Sequence, residues 1–99
     1  MYHEQEEQIT AARSLAREVN AEIERVAARL EAVEGGFLCE CGRADCTMRL
    51  PMTLDEYEAI RADSARFFVA EAHPVDDSAR VVERRGGYVI AESLLGVPG

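Results

Sequence analysis

Apolar and small side chains recur at Ile9, Ala12, Ala16, Val19, Ile23, Val26, Leu30 and Val33, in alternating steps of three and four. This heptad spacing, uninterrupted by Pro or Gly, predicts one long amphipathic helix over residues 4–34. Glu4, Glu6 and Glu7 suit the positive end of its dipole, and Gly35-Gly36 is the expected stop. Beyond the glycines the period shortens. Residues 37–41 read as a strand, 42–45 as a turn, and 47–52 as a return strand with Pro51 at an edge or end. Thr53 followed by Glu56 is a capping-box pattern that opens a second helix over 54–62. A buried strand is expected at 67–70 and a polar loop at 71–78. A β-hairpin then pairs 80–84 with 88–92 around Gly86-Gly87.

The fold class that follows is α+β: a long N-terminal amphipathic helix, then a small antiparallel sheet with one short helix and a zinc knuckle. Residues 1–35 form the helix and 36–92 the zinc-stabilised α+β domain. Residues 93–99 are expected to be a flexible tail. A helix of about 45 Å is long for so small a domain, so much of its stripe needs a partner. A homodimer or a partner protein docking on residues 4–34 answers that need. The other reading is a single amphipathic helix lying across its own domain.

Charge narrows the partners. The chain carries a net charge of −8, which disfavours nucleic acid because phosphate contacts need a basic face. It equally disfavours anionic membrane surfaces, and no apolar run approaches the roughly 20 residues that cross a bilayer. The acidic N-terminus lacks an apolar signal core, which points to a cytoplasmic protein. Every one of the 11 cationic residues is Arg, a bias in keeping with a high-GC bacterial source.

The candidate chemistry lies in Cys39, Cys41 and Cys46, an odd number of cysteines packed into one short segment. A disulfide framework spreads an even number along a secreted chain, whereas clustered thiols fit metal or redox chemistry. Zinc takes four ligands in a tetrahedron, and Cys3His is a common structural set. His73 is the natural fourth ligand, and Pro74 holds it extended. On a regular strand Cys39 and Cys41 would share a face with Cα atoms about 6.5–7 Å apart, so both reach one metal only if the chain bends. The competing readings are three reduced, packed thiols, a Cys39–Cys41 redox pair, and a carboxylate or water in place of His73. Glu40 is the candidate base for a hydrolytic zinc, although extended geometry turns it away from its neighbours' sulfurs.

The run 37–42 (FLCECG) with Cys46, then 50–58 (LPMTLDEYE), then 66–69 (RFFV) and His73, resembles a group of small uncharacterised actinobacterial proteins. In that group an FLCEC segment precedes an LTLxEYE helix and an RFxVxxGH stretch. The likeness spans about residues 10 to 92. The departure is at Glu71-Ala72, where the group often carries a Pro-Gly-like pair before the histidine. The resemblance implies the same ligand set and a bacterial cytosolic source, and it implies no activity.

Together these features predict a small zinc-binding interaction or regulatory module with a structural site and no catalytic residues. The alternatives are a thiol-based redox or metal sensor that releases zinc on oxidation, and a small zinc hydrolase.

Overall fold

The computed structural model describes residues 2–43, 45–75 and 77–94, with side chains from residue 11 onward. Ala44 of the expected turn, Asp76 of the polar loop and residues 95–99 of the expected tail lie outside the described residues, as does the side chain of Ile9. The element order is α1 (Tyr2–Arg29), β1 (Glu34–Leu38), β2 (Arg49–Thr53), α2 (Leu54–Arg61), β3 (Arg66–Ala70), β4 (Ala79–Arg84) and β5 (Tyr88–Ser93). This is the expected α+β architecture, with its antiparallel pairing divided between two small sheets. β1 and β2 form one, and β3-β5-β4 the other, with β5 central.

The first helix ends earlier than its apolar stripe does. Glu31 takes a left-handed φ of 57°. The Ala32 N–H donates to Ala27 O and the Glu31 N–H to Ala28 O, the paired bonds of a Schellman motif. Chain reversal is therefore complete before Gly35 and Gly36, which lie in β1 opposite Met52 and Pro51. A Cβ on Gly35 would come within 3.0 Å of the Phe37 ring, so the glycine there serves close packing and not helix termination.

The second helix starts as the sequence predicts. Thr53 Oγ1 accepts the Glu56 N–H at 3.0 Å, and Glu56 Oε1 accepts the Thr53 N–H at 2.9 Å. Glu56 Oε2 also accepts the Tyr88 hydroxyl at 3.1 Å, tying the start of α2 to β5. The 80–84/88–92 hairpin forms with Gly87 at φ +95°, and a register shift interrupts β4 between Val81 and Glu83.

The core lies where the two sheets meet α2. Phe37 of β1 stacks on Tyr57 of α2 with ring centroids 4.3 Å apart, and Phe68 of β3 meets both edge-on. Among the described residues no helix is long and apolar enough to cross a membrane.

Candidate metal centre

β1 and β2 are a hairpin whose last pair is Leu38 with Arg49. The loop that it closes, residues 39–48, contains all three cysteines. β1 ends at Leu38, and the chain then leaves the ladder. The Cys39 N–H still reaches Met48 O at 2.9 Å, but the Glu40 N–H turns to the other sheet and donates to Phe68 O at 2.9 Å. This is the bend that two cysteines spaced C-x-C require, and Gly42 completes it at φ +84°.

The receiving strand, β3, is an edge of its sheet, so one side of its backbone has no strand partner. The cysteine loop and α2 supply the missing partners. Glu40 pairs with Phe68 through its backbone, and its Oε1 accepts the Phe68 N–H at 3.3 Å. Cys39 Sγ accepts the Ala70 N–H at 3.2 Å, and Arg61 donates to Arg66 O at 3.4 Å. A tight turn follows in which the His73 N–H donates to Ala70 O at 2.9 Å, swinging the imidazole back over the loop.

The result is a four-residue cluster. One ligand atom from each of Cys39, Cys41, Cys46 and His73 lies within 4.8 Å of all the others, close enough for one metal ion. His73 faces the sulfurs through Nδ1, which is 3.3 Å from Cys39 Sγ and 4.0 Å from Cys46 Sγ. All four predicted ligands are thus brought together. The environment is graded: Cys39 is buried, while Cys41, Cys46 and His73 are half-buried. Beside Cys46 and His73 a polar cleft of about 300 Å³ opens, lined also by Arg43, Asp45 and Met48.

Burial disfavours thiolates. It pushes Cys39 up to about 12, against the Ala70 N–H, which favours the anion. Burial also raises Cys41, here against a backbone bond from Arg43. A thiolate-binding metal must displace these protons.

Glu40, flanked by two of the cysteines, faces away from them into a polar hub. Its carboxylate accepts from Asn20 Nδ2 at 2.9 Å and is ion-paired with Arg61. Burial is the largest single influence on Arg61 and works against its charge, but the bond and charge of Glu40, joined by Tyr57, together outweigh it and leave the guanidinium above its ordinary value. Asn20 also clasps Leu38, accepting its N–H at 2.6 Å and donating to its carbonyl at 2.9 Å. Arg13 donates to the Glu40 carbonyl at 3.2 Å and lies over the Phe67 ring at 4.0 Å. The sequence indicates that Glu40 points away from the sulfurs. Its partners on α1 carry no signal beyond polar residues interrupting an apolar helix.

No protein-family model, curated protein or solved structure matches this chain.

Proposed function

We propose that the chain is a small zinc-binding interaction or regulatory module built around a structural Cys3His zinc site. The observation that carries this reading is the convergence of three sulfurs and one imidazole nitrogen from the 39–48 loop and the turn after β3. Tetrahedral zinc holds sulfur and nitrogen ligands about 3.5–3.8 Å apart, from metal–ligand distances of about 2.0–2.3 Å. The separations of 3.3 and 4.0 Å bracket that range. Thiolate-rich tetrahedral sites select zinc among the common divalent ions. Bound there, the ion would hold the hairpin loop against the edge of the second sheet, so its binding energy would be folding energy.

Native mass spectrometry of protein purified without added metal tests this. One zinc per chain is expected, lost or weakened in Cys46→Ser and His73→Ala. A metal-free spectrum with three titratable thiols would remove the reading.

A thiol sensor is the second reading, favoured by the cleft beside Cys46. Because Cys39 is buried and holds the Ala70 N–H, the reactive pair in this reading is Cys41 with Cys46. A peroxide oxidises the Cys46 thiolate to a sulfenic acid and leaves hydroxide. The Cys41 thiolate then displaces a second hydroxide to close the disulfide, removing two metal ligands. Zinc that stays bound under mild peroxide would dismiss this reading.

A further inference from the structure

Helix α1 keeps an apolar row on its outer surface. Val19, Val26 and Leu30 are exposed, Leu30 by 74 %, beside the partly buried Ile23. With Ala27 these residues line a groove of about 520 Å³ on the side of the helix next to the row, rimmed by Glu22 and Glu34. Isolated apolar side chains on a surface are ordinary, but a contiguous groove of them is the usual mark of an interaction site.

The charges beside the row indicate what covers it. Glu18, Glu22, Arg25 and Arg29 are all exposed and follow one another at steps of four, three and four, which aligns them along one flank. Their order is two acids, then two bases. Reversed end for end, this row becomes its own electrostatic complement. An antiparallel two-fold axis passing between Ile23 and Glu24 sets Glu18 against the partner's Arg29 and Glu22 against the partner's Arg25. The same register puts Val19 opposite the gap between the partner's Val26 and Leu30, a knob facing a hole. In a parallel pair this flank would face the partner's opposite flank, and the row would not meet its own complement.

We propose that α1 is a self-association surface, occupied by a second copy of this chain in antiparallel orientation. The proposal rests on reading α1 as the interaction surface and is independent of the metal. Within each chain Glu22 already ion-pairs with Arg25, so the pairing would extend this contact into a four-charge cluster across the two-fold.

Sedimentation equilibrium on the full chain, with zinc content and circular dichroism recorded on every sample, tests the proposal. The wild type is expected to be dimeric at tens of micromolar, and Val26→Glu monomeric at the same concentration. Glu18→Arg with Glu22→Arg together turn four attractions into repulsions and are expected to raise the dissociation constant about a hundredfold. Exchanging all four charges restores complementarity and should return the dimer. In a parallel pair the row does not face its own copy and the double reversal breaks no such contacts, so an unchanged constant would overturn the orientation. A wild-type monomer at about 100 μM, with the zinc site intact, would overturn the proposal and leave the metal reading standing.

Discussion

The two helices attach to the same body by opposite means. α2 is short and buries Tyr57 and Ile60, and a capping box fixes its start. α1 is more than three times as long, yet the face it turns inward carries Arg13, Ala16, Asn20 and Ala27, while Val19, Val26 and Leu30 look outward. α2 is held by apolar burial and aromatic stacking. α1 is held largely by hydrogen bonds that converge on Glu40 and Leu38. Apolar packing tolerates small shifts in register, whereas an amide that both donates to and accepts from one residue does not. The polar attachment therefore fixes where α1 sits along the cysteine hairpin.

The largest mutational effect is expected at the hub. Glu40→Ala removes one acceptor each from Arg61, Asn20 and the Phe68 N–H, leaves the Arg61 charge without its carboxylate, and should cost about 3–5 kcal/mol in a denaturant titration of the chain. A cost under about 1 kcal/mol would mean that the polar attachment of α1 is decorative. Ile60→Ala removes apolar packing from α2 and should cost about 3 kcal/mol by the same measurement. If it proves neutral, the contrast between the helices fails from the other side. Thr53→Ala breaks the capping box and is expected to cost about 1 kcal/mol, read as a lowered thermal midpoint. The smallest effect belongs to Val26→Ser on the outer row, under about 0.5 kcal/mol when extrapolated to infinite dilution. A large loss there would place the outer row in the chain's own core.

The proposed zinc site would answer to pH in a predictable direction. Cys39 and Cys41 lie above the ordinary thiol range, so each must release a proton to bind zinc. Zinc affinity, measured by chelator competition, should fall steadily as pH is lowered from 8 to 6. A flat profile would mean that these thiols are not ligands.

Much of this was legible beforehand where the signal is local. The Thr53/Glu56 box, the Gly86-Gly87 hairpin and the C-x-C…C cluster are short patterns whose physics is complete within a few residues. The choice of His73 was legible because the sequence has one other histidine, His3, placed close to its first residue. The docking of α1 was not legible. Periodicity identifies that a helix has an apolar stripe but not which edge of the stripe meets the core, and here the contact is rotated toward Arg13 and Asn20. Their partners are a strand carbonyl and a buried glutamate far along the chain, contacts that leave no trace in spacing. The helix end was misplaced for a related reason. Glu31 adopts a conformation usually left to glycine, while the two glycines serve β1.

The way the cysteine loop and α2 dress the open side of β3 bears on solubility. The strand reads RFFVA, a strongly β-prone stretch with a single charge, and the amides on its open side would, if bare, be a template for adding strands from other molecules. Cys39 and Glu40 occupy the amides of Ala70 and Phe68. Loosening that loop bares both positions at once. The loop thus shields two amides that would otherwise be open to an incoming strand.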